Sequence, residues 1–319
     1  ITLVIGSNIK EAKKEAYEQS HPNIDELHVN LSGKNLWVAE TGAEVALSNP
    51  QEQFYAITRY ADGTDKMLAY QVYRLAESYK DMSIYASDTA SADNRTVVTL
   101  PVVQSKYFPD VSTITPKIGS STFGYQPTEA SLLVYQYFYY ADRVEVSPAL
   151  TLDGSNSMSL WATDVPIVSV NVSNYQAQAI ARLEVDGQSL SMKYQFVPIK
   201  IDAANCFGSK LSAPILSALN APLKVRWQFL EPNPIWHEAI VTVPQFPTLK
   251  NKPDWKNRET HVFLYFQKDG SVTSQLQQVV TLEGDRLGLR TTAIMPKLLE
   301  PAACGTADDG WAETVVRIN

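Results

Sequence analysis

Histidine and cysteine are scarce in this chain, and its basic residues never cluster. Four histidines and two cysteines occur in 319 residues. His21, His28, His237 and His261 show neither the i,i+4 helical spacing nor the His-x-His strand spacing of a metal site. Cys206 and Cys304 have no near partner either. No transition metal and no cofactor is therefore expected. No Gly-x-Ser-x-Gly elbow is present, which excludes an α/β-hydrolase. There is also no phosphate loop and no Gly-x-Gly-x-x-Gly. Gly6-Ser7-Asn8 follows the short apolar run Ile1 to Ile5, but it lacks the glycine spacing that lets backbone wrap a phosphate. Asp308-Asp309-Gly310 lacks the further ligands of a calcium loop.

Charge is also sparse. Charged residues make up 19% of the chain, against about 25% in ordinary globular domains. The net charge is −7. The densest basic stretches are Lys10 to Lys14, interleaved with Glu11 and Glu15, and Lys250 to Arg258. Neither is a polybasic run, so nucleic acid is not an expected partner. No apolar run approaches the length of a membrane-spanning helix. A start at Ile1 fits a removed leader.

Two cysteines allow one disulfide. Cys206–Cys304 would close a loop of roughly a hundred residues and contribute about 4–5 kcal/mol in the chain-entropy model. The alternative is two independent thiols. Sequons at Asn30, Asn94 and Asn171 are close to the number, about two, that chance gives in a chain rich in Asn, Ser and Thr.

What the chain does have is strand chemistry. Tyr (16) outnumbers Phe (10), and Ser and Thr are abundant, as suits pleated sheets with polar faces. The clearest element is a hairpin over Ala177 to Phe196. Asp186-Gly187 favours a two-residue type I′ turn. Pairing outward from it sets Leu183 opposite Leu190 and Glu184 opposite Ser189, giving an apolar core face and a polar outer face. Leu223, Val225, Trp227 and Phe229 alternate with Lys224, Arg226 and Gln228 in the same way. Thr96 to Val103, Val144 to Leu152, Val165 to Val172, Ile235 to Val243, His261 to Phe266, Val272 to Leu282 and Leu287 to Ile294 also read as strands; the aromatic run Leu132 to Tyr140 reads as a buried strand, with a helix started by Thr128-Glu129 as the alternative. Val315 to Ile318 could close an edge. Ile9 to Gln19 reads as one short N-terminal helix, and Leu211 to Leu219 as another short helix.

With roughly fifteen strands at such spacing, the fold class is mostly β: antiparallel, sandwich-like or jelly-roll-like. Val111 to Ser121, rich in Ser, Thr and Pro, divides the chain into an N-terminal β-rich unit (1–115) and a C-terminal sandwich unit (116–319).

Candidate functional residues are few, and no catalytic set is assigned. Glu231 to His237 is stiffened by Pro232 and Pro234 and ends in Trp236-His237, a pre-ordered loop of the kind that binds at low entropic cost. Glu231, Trp236, His237 and Trp255 are the candidate binding residues; the alternative for Trp236 is that it starts the next strand with its ring in the core. Glu231, Glu238, Asp254 and Glu259 lie near Trp236 or Trp255 and are the candidates for a carbohydrate-cleaving pair. Three function classes follow. The first is a non-enzymatic structural or attachment protein on a cell surface, virion or secreted assembly, contacting protein, glycan or copies of itself. The second is a secreted carbohydrate-active enzyme. The third is a β-pore-forming toxin inserting Arg143 to Ala162, whose alternation and length approach those of a membrane hairpin.

Overall fold

The computed structural model describes residues 25–33, 35–40, 43–47, 81–87, 96–117, 132–151, 161–191, 200–202, 205–207, 211–246, 256–282, 284, 286–292 and 316–317. In chain order, its strands begin with β1 (Asp25–Asn30), β2 (Asn35–Glu40), β3 (Ala43–Leu47), β4 (Asp81–Ser87), β5 (Thr96–Gln104), β6 (Thr115–Pro116) and β7 (Leu133–Tyr139). Next come β8 (Val144–Leu150), β9 (Trp161–Ala162), β10 (Ile167–Asn174), β11 (Ile180–Val185), β12 (Gln188–Ser189), β13 (Lys200–Asp202) and β14 (Asn205–Phe207). The last are β15 (Leu211–Leu216), β16 (Leu223–Phe229), β17 (His237–Val241), β18 (Lys256–Phe266), β19 (Val272–Thr281), β20 (Leu287–Thr291) and β21 (Val316–Arg317).

Three sheets dominate. A seven-stranded sheet runs β1-β7-β8-β5-β4-β2-β3, a six-stranded sheet β15-β10-β18-β19-β20-β21, and a four-stranded sheet β12-β11-β16-β17. The chain is mostly β, as its composition indicates, but the sheets are mixed and not uniformly antiparallel. β1 runs parallel to β7, β5 to β8, β10 to β18 and β20 to β21. Apolar alternation identifies a strand's faces but not its direction. Parallel partners need long crossovers; the whole four-stranded sheet lies between β10 and β18 in the chain. The seven-stranded sheet takes β1 to β5 from before residue 115 and β7 and β8 from after it.

The hairpin turn forms as its sequence indicates. Asp186 (φ 51°) and Gly187 (φ 80°) both occupy the left-handed region that a type I′ turn requires. Glu184 pairs with Ser189, and the Leu190 amide donates to the Leu183 carbonyl at 2.9 Å. Leu183 and Leu190 are fully buried. They join Val168, Val170, Val172, Val225, Trp227, Val262, Leu264 and Phe266 in the core between the four- and six-stranded sheets. Beyond Ser191 the expected pairing up to Phe196 lies outside the described residues.

One expectation about this hairpin is corrected. Its polar face does not meet solvent, because Arg182 and Glu184 are 2% and 6% exposed. The faces of β7 and β8 that carry Gln136, Phe138 and Glu145 cover it. Gln136 Nε2 donates to Ser189 Oγ at 2.9 Å across this second interface. Every residue of β7 is buried, which accounts for its aromatic run.

Three further readings resolve. Leu211 to Leu219 is not a helix: Leu211–Leu216 is strand, with Ala213 and Ile215 buried. Pro214 is tolerated there because β15 is an edge strand. Among the described residues of Arg143 to Ala162, β8 pairs with β7 and β5 and β9 pairs with β6, and β8 and β9 do not pair with each other. β21 does close the six-stranded sheet at one edge.

Two sequon asparagines have structural partners. Asn30, 6% exposed, accepts from the Ser32 amide and hydroxyl at 3.0 and 2.7 Å. Asn171 sits in β10 between two partner strands. The Ile9 to Gln19 helix, Asn94, Asp254, Trp255 and Cys304 lie outside the described residues. Cys206 is described only as a backbone position, paired with Ile201. Among the described residues no helix is long and apolar enough to cross a membrane.

Candidate functional site

The loop between β16 and β17 is held at both ends and in its middle. The Glu231 amide donates to the Phe229 carbonyl at 3.0 Å, and Gln178 Nε2 donates to Glu231 Oε2 at 3.3 Å. Asn233 takes a left-handed φ of 49°, which asparagine tolerates better than most residues. That conformation aims its amide at the Leu31 carbonyl, 2.8 Å away. Buried Gln228 donates from Nε2 to the Pro234 carbonyl at 3.1 Å. Gly33 lies against the loop from the other side; a Cβ placed there would stand 2.9 Å from Pro232 Cβ. The two prolines therefore act together with packing and hydrogen bonds to order this segment.

Trp236 closes a cluster of charged residues. Arg182 stands 4.9 Å and Arg226 4.2 Å from its ring centroid, and Arg182 also stacks 4.5 Å from the Phe138 centroid. Arg182 donates through Nη1 to Glu145 Oε2 and to the Tyr140 hydroxyl at 2.9 Å, and through Nη2 to Glu184 Oε1 at 3.1 Å. Tyr140 in turn donates to Gln228 Oε1 at 2.6 Å. Arg143 Nε adds a 2.7 Å bond to Glu145, and Arg226 lies 3.6 Å from Glu184.

Two opposed effects set the carboxyls apart. Burial pushes both upward. At Glu145, the guanidinium groups of Arg182 and Arg143 outweigh burial and hold the carboxyl below its ordinary value. At Glu184, burial prevails over Arg182 and Arg226, and the charge of Glu145 adds to the upward push. Burial likewise raises the Tyr140 hydroxyl. Each charged group thus has a partner, as buried charge requires.

The outer half of the four-stranded sheet differs. Ile235 is 67% and Ile240 70% exposed, and Glu238 beside Ile240 is exposed and 3.4 Å from Lys224 Nζ. β17 ends this sheet, and no strand pairs its far side among the described residues. The direction of its backbone follows from β16. Lys224 uses its amide on Asp186 Oδ1 and its carbonyl on the Asp186 amide, both at 2.8 Å and both on the β11 side. Alternate residues of a strand point their hydrogen-bonding groups to opposite sides. Leu223, Val225 and Trp227 therefore face β17, where they pair with Val241, Ala239 and His237. The amides and carbonyls of Glu238 and Ile240 consequently point away from the sheet.

Of the residues singled out from the sequence, Glu231, Trp236 and His237 do share one loop and strand start. Their observed contacts lie within the chain. Glu231 holds Gln178, Trp236 roofs the arginines, and the His237 ring stacks 5.6 Å from Trp227 on the core side. Glu238 is beside Lys224 on the four-stranded sheet. Glu259 is bonded to His261 Nε2 at 3.2 Å on the six-stranded sheet. The exposed neighbours, Ile235 and Ile240, were missed. For Ile240 the signal was present in the alternation of β17: with His237, Ala239 and Val241 on the core side, Ile240 must lie on the opposite face. Compared with known proteins, the chain matches no protein-family model and no curated sequence.

Proposed function

We propose that this protein works by contact and not by catalysis, as a structural or attachment protein of sandwich-like or jelly-roll-like architecture on a cell surface, virion or secreted assembly. The observation that carries this reading is the strip formed by Ile235, Glu238 and Ile240 along the outward edge of β17. Two large aliphatic side chains stand in solvent beside a loop ordered by Asn233, Gln228 and Gly33. Pre-ordered apolar surface next to backbone groups that no described strand pairs is the equipment of a recognition edge.

The enzymatic alternative has one observation in its favour. Glu145 and Glu184 are pushed in opposite directions, the pattern of a carboxyl pair divided into ionised and protonated roles. Against it, both carboxyls are occupied by Arg182, which itself is 2% exposed beneath Trp236 and Phe138. A sugar would have to displace that packing.

Size-exclusion chromatography and electron micrographs of the full chain, run beside a glycan-hydrolysis panel, separate the two readings. Assembly or surface binding without turnover supports contact. Turnover that Glu184→Gln or Glu145→Gln abolishes, in a protein that remains folded, replaces it with the enzymatic reading.

A further inference from the structure

The outward edge of β17 is self-complementary. Five residues, His237 to Val241, form the strand, and the two that offer backbone groups outward, Glu238 and Ile240, are placed symmetrically about Ala239. In an antiparallel pair of two such strands related by a two-fold axis at Ala239, Glu238 of one copy lies opposite Ile240 of the other, and the reverse. Both are then hydrogen-bonded positions, so all four outward groups of each strand find a partner. A pairing shifted by one residue on each strand, centred on Ile240, would call on the Thr242 carbonyl. That carbonyl already accepts from Ser274 Oγ at 2.8 Å.

The charges agree with the same register. Across the paired edge, one row would read Arg226, Glu238, then Ile240 and Lys224 of the second copy. Within one chain Ile240 is the cross-strand neighbour of Lys224, and the lysine side chain can lie along Ile240 toward the facing glutamate. Directly opposite positions carry no like charges. Within the five residues of β17 there is no proline, no lysine and no bulge, and no strand pairs its far side among the described residues.

We infer that the partner at this edge is a second copy of this chain, joined by antiparallel pairing of β17 with β17 about Ala239. This rests on the contact reading above and names its partner. The alternatives at the same edge are an extended segment of a different protein and a glycan.

Sedimentation velocity of the full chain over a micromolar concentration series tests it. The wild type is expected to sediment at twice the chain mass, and Ile240→Pro as a monomer. That proline removes an outward amide and leaves the β16–β17 ladder intact, so circular dichroism should be unchanged. Glu238→Lys should weaken association at least tenfold, and Lys224→Glu combined with Glu238→Lys should restore it. A wild type that stays monomeric throughout overturns the inference. If that monomer nevertheless binds a peptide or glycan and loses it with Ile240→Pro, the self-partner fails while the contact reading survives. A dimer indifferent to both Ile240→Pro and Glu238→Lys also overturns it.

Discussion

Arg182 on β11 forms an ion pair with Glu145 on β8 and so ties the four-stranded sheet to the seven-stranded one; the two side chains are 3% and 20% exposed. The same guanidinium holds Glu184 of its own strand. Removing it leaves Glu145 with Arg143 alone and Glu184 with Arg226 alone, at 3.6 Å, in a poorly solvated interface. Arg182→Met is therefore expected to destabilise the protein by about 3–5 kcal/mol, read as a lower midpoint in urea unfolding. Adding Glu145→Gln and Glu184→Gln should recover much of the loss, because the uncompensated charge is then gone. A cost below about 1 kcal/mol for Arg182→Met would show that this pair behaves as an exposed one.

The two carboxyls give stability opposite dependences on pH. Glu145 is held below its ordinary value, so its contribution is present above that ordinary value, about 4.3, and is lost as pH falls through the lower folded value. Glu184 is held above its ordinary value, so its contribution is complete below the ordinary value and is lost as pH rises through the raised folded one. Unfolding series from about pH 3 to 7 should show a shallower acid-side loss in Glu145→Gln. Glu184→Gln should retain more stability than the wild type as pH rises toward neutrality. Parallel profiles for all three proteins would contradict these assignments.

Two glycines share a left-handed backbone but not a neighbourhood. Gly187 (φ 80°) has nothing within 4 Å of an added Cβ, whereas at Gly33 (φ 77°) that atom would meet Pro232 Cβ at 2.9 Å. Gly187→Ala should cost about 1–2 kcal/mol, the backbone term alone. Gly33→Ala should cost more and should also loosen the Glu231–Trp236 loop, seen as faster amide exchange at Asn233. Equal costs would mean that the β1–β2 turn does not brace the loop.

Trp236 is expected to matter for stability before recognition. Its ring covers Arg182 and Arg226 at 4.9 and 4.2 Å, contacts worth about 0.5–2 kcal/mol each. Trp236→Ala should lower the melting temperature, while Ile235→Ser should leave it nearly unchanged and reduce binding or assembly. The reverse pattern would make Trp236 the recognition residue.

The sequence makes the strands, the Asp186-Gly187 turn and the inward faces legible, because each rests on local chemistry: alternation, left-handed turn residues, aromatic runs. It hides what depends on distant partners. Arg182 and Glu184 look like a solvated face because nothing near them in sequence announces that β7 and β8 will cover them. Pro214 sits in a segment that reads as a helix because edge position is a property of the sheet. Trp236 attracts attention as a recognition residue, yet it is half-buried over two arginines, and the outward place falls to its neighbour Ile235. Mixed strand direction leaves no periodic trace at all.

The central claim, contact along the β17 edge, is tested most directly by amide hydrogen exchange at Glu238 and Ile240, compared between dilute and concentrated full-length protein. Their amides point away from β16, so in the dilute chain they should exchange rapidly while those of His237, Ala239 and Val241 are protected. On concentration, protection should appear at Glu238 and Ile240 and be absent in Ile240→Pro at the Glu238 amide. Exchange there that is slow when dilute, or fast and unchanged by concentration and by every protein or glycan surface tried, would contradict the account.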